Sequence, residues 1–137
     1  MITGGSVVLR GTRHLRGRGG RLGVTEGEQV LEICRVRLCD GEPVMLEINR
    51  FPPQYDALER ESLGGSLYAL LKKHGVVPSR AVHDISLGHA TPMVGKYLGT
   101  SLGEALLILD ETVFDQQERP LHTSRQWIRG DKYTFRI

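Results

Sequence analysis

Arg35 and Arg37 lie two positions apart in Ile33-Cys34-Arg35-Val36-Arg37-Leu38. On a strand, side chains two apart share a face at about 6.6 Å. Two guanidinium groups that close repel each other unless negative charge lies between them. They suit straddling a phosphate or carboxylate ligand, or else pairing with acids across the sheet, such as Glu47. A second anion-friendly feature is Gly64-Gly65-Ser66, just before a helical run. Free N–H groups at a helix start and a serine hydroxyl attract phosphate oxygens, although ordinary capping uses the same residues. If folding brings Ser66 close to Arg35 and Arg37, the three make a phosphate site.

Other chemistry is sparse. The chain has no G-x-S-x-G, H-E-x-x-H or phosphate-binding loop of the Walker kind. His83 and His89 share a strand face but are about 20 Å apart, too far to hold one metal. Cys34 and Cys39 fall on opposite faces of one strand, roughly 16 Å apart. They can neither bridge each other nor form a C-x-x-C metal site, so they read as buried free thiols. Arg129-Gly130-Asp131 reads as a turn. Neither a metal nor a cofactor is expected.

The elements that position these residues follow from pattern. Val7–Leu9 begins a strand, and Gly11 to Gly23 is glycine-rich and irregular. Val30–Cys39 and Val44–Phe51 are strands joined by the hairpin signal Asp40-Gly41, with Pro52-Pro53 ending the second. A short helix is expected over Tyr55–Glu61. Another, over Leu67–His74, has Ser66 as N-cap and Gly75 as C-cap. Arg80–His89 alternates like a strand. Thr91-Pro92 to Gly99 reads as a capped helix. Ala105–Phe114 and Leu121–Arg129 form a second hairpin, and Tyr133–Ile137 a last strand. Strands joined by short turns are antiparallel, which gives an α+β domain with two or three helices on an antiparallel sheet.

At 137 residues the chain makes one domain. Its 39% hydrophobic and 25% charged residues are those of an ordinary globular protein. No apolar run is long enough for a membrane helix, and the start lacks a signal pattern, so a cytoplasmic location is expected. The net charge of +2 combines +5 over residues 1–23 with −3 over the rest. The arginine-rich start reads as a linker or solvated strand rather than a nucleic-acid arm, since no aromatic is interleaved there. Leu22–Ile33 is echoed by Leu98–Leu109: Leu-Gly, three residues, Gly-Glu, then an apolar run. Each run leads to a turn and a proline, Pro43 or Pro120. Two similar halves with a ligand surface between them would explain the echo. Where one copy has Arg35 and Arg37 the other has Glu111 and Val113, so such a surface would be cationic on one side only.

The segments Ile33–Leu38 and Asp40-Gly41-Glu42-Pro43 resemble the first hairpin of the UTRA domain. Gly65-Ser66-Leu67-Tyr68 with Leu70-Leu71, the helix ending Leu98-Gly99, Arg119-Pro120, and Ile128-Arg129-Gly130-Asp131-Lys132-Tyr133-Thr134-Phe135 fit the same pattern. The UTRA domain is the effector-binding half of the HutC branch of GntR-type bacterial transcription regulators. The resemblance runs from about Leu22 to Ile137, with residues 1–21 as linker remnant and first strand.

The resemblance implies a chorismate-lyase-like fold and a non-enzymatic sensor of a small anionic effector, such as a sugar phosphate. It also implies a homodimer that touches DNA only through an N-terminal winged helix-turn-helix. No segment of this chain matches that helix-turn-helix, so the chain reads as an isolated effector-binding half. In relatives that bind phosphorylated amino sugars, the matching positions place the anion on Arg35, Arg37, Ser66 and Tyr68. Glu47 matches an acid on the returning strand. His122 stands where a second acid is expected and Ile128 where an aromatic is expected, so the specificity end departs from the pattern. A chorismate-lyase-like enzyme and a ligand-free dimerisation module are the rival readings. The second predicts that protein carboxylates satisfy Arg35 and Arg37.

Overall fold

The computed structural model describes residues 6–14, 29–55 and 67–130, with side chains for 30–55 and 69–130. Six strands form one sheet: β1 (Ser6–His14), β2 (Gln29–Cys39), β3 (Glu42–Phe51), β4 (Pro78–His89), β5 (Ala105–Asp115) and β6 (Pro120–Ile128). Their order is β1-β2-β3-β6-β5-β4, and each neighbouring pair is antiparallel. The two hairpins meet through β3 and β6. The first three strands and the last three are therefore related by an approximate two-fold through the middle of the sheet, the arrangement that the echoed sequence leads one to expect.

Asp40 (φ 51°) and Gly41 (φ 79°) both adopt left-handed backbone, so the first hairpin turns through two residues, as Asp-Gly favours. Cys39 then opposes Glu42, and Leu38 opposes Pro43. At Val44 the register slips by one, so that Arg37 opposes Met45 and Arg35 opposes Glu47. Without this bulge Arg35 would oppose Leu46, and Glu47 would point to the other face. Val44 is buried, and its carbonyl accepts the Arg129 N–H at 3.0 Å.

Two short helices cover the sheet, one on each face. α1 (Leu67–Lys73) ends as expected at Gly75 (φ 74°). The Val76 N–H donates to Leu71 O and the Gly75 N–H to Lys72 O, which satisfies two terminal carbonyls. α1 inserts Leu71 among Leu31, Ile33, Phe51, Val113 and Leu121. α2 (Pro92–Leu98) has the anticipated caps: Thr91 accepts from the Val94 N–H, and Gly99 (φ 68°) closes it. Val94 and Leu98 pack on Val36, Leu46 and Leu106 of the opposite face. Among the described residues, no helix is long and apolar enough to cross a membrane.

Some expectations need correction, and others fall outside the described residues. The first strand continues through Gly11–His14 instead of breaking at Gly11, because β2 pairs with it along its length. β4 is a strand as expected; it lies at the sheet edge and is exposed on both faces. Cys34 and Cys39 are free thiols but only partly buried, packed on clusters of opposite faces. The helix expected over 55–61 is described only at Tyr55, which ends a 3₁₀ turn. The remainder of that segment, Ser66 and the last strand lie outside the described residues.

The second hairpin turns on Asp115, which is buried. Its carboxylate accepts the N–H groups of Gln117 and Arg119 and the Arg119 side chain. These bonds, the Arg119 N–H foremost, hold its carboxyl below the usual range. The folded state thus binds this proton less readily than the unfolded chain. The resulting stability is present above the ordinary value of 3.8 and is lost as the pH falls below it. Asp115→Ala is expected to lower the urea midpoint at pH 7, and the gap from the parent should narrow steadily on acidification below pH 4.

Candidate functional site

Register fixes which side chains share a face. Arg35 opposes Glu47 on β3, Glu47 opposes Gln126 on β6, and Asn49 opposes Ser124. Ser124 opposes Glu111 on β5, and Glu111 opposes His83 on β4. These polar residues run as a belt across five strands on the face that carries α1. On one side of the belt is the apolar cluster around Leu31, Phe51 and Leu71; on the other are Met45, Leu109 and Ile128. A polar row of this kind inside an apolar face costs stability unless its members satisfy one another.

At the β2 end they do so through one carboxylate. Arg35 Nη2 lies 3.3 and 3.2 Å from the two Glu47 oxygens, and Arg37 Nη1 lies 3.2 Å from Oε1. Asn49 donates to Oε2 at 3.4 Å. The Arg35 and Glu47 side chains are 4% and 7% exposed, whereas that of Arg37 is 25% exposed. Two guanidinium groups thus share this carboxylate, and the more accessible of them is that of Arg37. At the β5 end the sign reverses: Glu111 carries the charge and pairs with His83 Nε2. Arg35 and Glu111, the residues that correspond between the two halves, therefore make the belt cationic at one end and acidic at the other.

His122 sits below the belt, 3% exposed and stacked on Phe51 with ring centroids 5.0 Å apart. Burial pushes its pKa down, against the opposing pull of Glu111, so the ring is neutral at pH 7. Ile128 is fully buried in the core and presents no aromatic surface. The structure thus brings together Arg35, Arg37, Glu47 and His122 among the residues singled out from sequence. Ser66 and the Tyr68 side chain lie outside the described residues.

Asn49 and Ser124 escaped the sequence reading, and His83 entered it only as an unrelated histidine. Asn49 had a signal, since it lies two positions from Glu47 on the same strand face. The arginines pair with Glu47 as the ligand-free alternative requires. Among the described residues, no cluster of His, Cys, Asp or Glu could hold a metal ion.

The family description "UTRA domain" matches residues 19–134. A probable fructoselysine utilization operon transcriptional repressor of Escherichia coli K12 is 30% identical over 124 residues, covering 85% of this chain and 49% of that protein. The HTH-type transcriptional repressor PhnF of Mycolicibacterium smegmatis is 31% identical over 118 residues, covering 85% and 48%. The crystal structure of the effector domain of PhnF from Mycobacterium smegmatis superposes with a TM-score of 0.90 at 28% identity, covering 96% of this chain and 84% of that one. The chain spans about half the length of the curated relatives it matches.

Two measurements check the electrostatics of the belt. Glu47→Ala leaves the buried Arg35 without its carboxylate and is expected to destabilise the fold by about 3 kcal/mol or more, read from urea unfolding. Replacing Arg35 and Glu47 together with Met should recover most of that loss. For His122, the folded pKa lies below the ordinary 6.5, so the unfolded chain takes up the proton first. Stability should therefore decline as the pH falls below 6.5, and His122→Gln should flatten that decline in pH-dependent melts.

Proposed function

The chain belongs to the UTRA domain family, and from that premise we propose that it is the small-molecule sensor of a GntR/HutC-type transcription regulator. Its ligand is an anionic metabolite, a sugar phosphate or a related phosphate or carboxylate. The observation that carries this reading is the shared Glu47 carboxylate. It fixes two guanidinium groups on one face, with Arg37 partly exposed beside the buried Arg35.

The anion lies against Arg37 and Arg35, and by the family pattern Ser66 and Tyr68 also bind it. Glu47, His122, Asn49 and Glu111 read the remainder of the molecule. A polar ligand spanning the belt meets cations at its anionic end and acceptors at the other, which suits hydroxyl or amino groups there. Because His122 is neutral, it contacts the ligand as a hydrogen-bonding ring and not as a cation.

The matched relatives are transcriptional repressors, and this supports a regulatory, non-enzymatic role in the cytoplasm. Ligand binding shifts the equilibrium between two arrangements of a homodimer and so changes the spacing of DNA-reading helices elsewhere in the regulator. Operator DNA then alters ligand affinity by the same factor.

The test is thermal unfolding of the chain against a panel of sugar phosphates, amino-sugar phosphates, phosphonates and small carboxylates. A ligand that binds only the folded state raises Tm as its concentration rises. At least one phosphorylated compound is expected to do so, and Arg37→Ala should reduce the shift without lowering the ligand-free Tm by more than a few degrees. If the whole panel leaves a folded protein unchanged, the arginines are structural, and a non-phosphate ligand or the ligand-free dimerisation reading takes its place.

A further inference from the structure

Arg129 follows directly on β6 and continues the β3–β6 ladder one residue past the Met45–Ile128 pair. Its N–H donates to Val44 O at 3.0 Å. Val44 is the extra residue of the bulge: Leu38 opposes Pro43 and Arg37 opposes Met45, so the β2–β3 pairing skips Val44. The main chain of Arg129 is thus bonded to the residue that sets Glu47 opposite Arg35.

The side chain of Arg129 goes to the other face. Strand period puts it with Trp127, which packs in the cluster that holds α2. Its Nη1 lies 3.3 Å from Leu98 O. Leu98 is the last residue of α2, where a helix leaves its carbonyls without intrahelical partners. The turn that closes α2 returns the N–H groups of Gly99 and Thr100 to Gly95 O, so it does not serve Leu98 O. A guanidinium at that place makes a charge-assisted bond and complements the negative end of the helix. At seven residues α2 is too short to hold itself. Its place is set from outside, by the packing of Val94 and Leu98 and by this bond.

We propose that Arg129 is a positioning residue for the anion site: its main chain pins the bulge, its guanidinium anchors the end of α2, and the Arg35–Glu47–Arg37 group and α2 hold or shift together through it. A bulge has discrete alternatives, since the neighbouring register sends Glu47 to the other face. An element with discrete arrangements is what carries coupling between separated sites. A ligand drawn onto Arg37 and Glu47 then bears on α2, which lies on the face that the ligand does not touch. This deepens the proposed function by naming a route out of the site, and its regulatory use rests on that reading. The coupling itself belongs to the ligand-free chain and is tested there, so its failure would leave the ligand reading to the melting panel.

NMR of the ligand-free 137-residue chain makes the test. Arg129→Met keeps the main-chain N–H and much of the stem but removes the guanidinium. The Arg35 and Arg37 Nε–H resonances should move, although both side chains lie on the opposite face, while the melt stays that of a folded protein. Arg129→Lys, which keeps a charged donor for Leu98 O, should return them toward the parent positions. Thr91→Ala loosens α2 at its other end by removing the bond to the Val94 N–H, and it should leave both arginine signals in place. If Arg129→Met shifts only the amides of Gly99 and Thr100, the bond is a local cap and the proposal is overturned. It is overturned as well if Thr91→Ala moves the arginine signals as far as Arg129→Met does, because any loosening of α2 would then suffice. Should Arg129→Met fail to fold, Arg37→Ala, at a partly exposed position, reads the link from the other end. The Arg129 Nε–H resonance should then move, and a fixed signal would overturn the proposal.

Discussion

The site depends on one register constraint: Glu47 must oppose Arg35. The Asp40-Gly41 turn alone would set the hairpin one residue out and send the carboxylate to the other face. The bulge at Val44 corrects this, and it is held by burial of Val44 and by the Arg129 N–H arriving from the end of β6. The charge arrangement in the first half of the molecule is thus locked by a contact from the second half. With the register fixed, a carboxylate can stand between two guanidinium groups in an otherwise apolar face. The groups that flank it, Leu31 and Phe51 to one side and Met45 and Ile128 to the other, keep water from weakening the pair. A buried ion pair of this sort is weak evidence for stability. Its value here is geometric, since it presents Arg37 at a fixed place and angle.

The approximate two-fold explains why the belt has two different ends. The two-fold places corresponding positions symmetrically about the β3–β6 seam, and the difference at one pair, Arg35 and Glu111, makes the row polarised. The two helices lie outside this symmetry. α1 covers the belt face next to the arginines, while α2 seals the opposite face through Val94 and Leu98. A ligand that bridges the belt would therefore touch strands from both halves.

How much was legible in the sequence depended on how local the cause was. The Asp40-Gly41 turn, the Thr91-Pro92 start and the Gly99 and Gly75 stops were readable because each is set by the backbone preferences of a few residues. The shared face of Arg35 and Arg37 followed from strand period alone. Glu47 was readable as an acid across the sheet that could pair with them, but its place directly opposite Arg35 depends on a bulge that no turn rule announces. β4 was readable as a strand, but its exposure was not, since Ala81, Ile85 and Leu87 alternate with polar residues equally well on a buried strand and on a sheet edge. His122 was placed by resemblance. Its burial against Phe51 is a tertiary contact between β3 and β6 and leaves no mark in the neighbouring sequence.

The central claim is that Arg35 and Arg37 hold an anion on the belt. It is tested most directly by following the arginine side-chain Nε–H resonances by NMR while a sugar phosphate that raises Tm is titrated in. The account predicts that the Arg37 and Arg35 signals shift together and saturate at the concentration that saturates the melting response, with Arg37 moving further because it is the more exposed. Saturable binding that leaves both signals in place, while resonances elsewhere in the chain move, would contradict it.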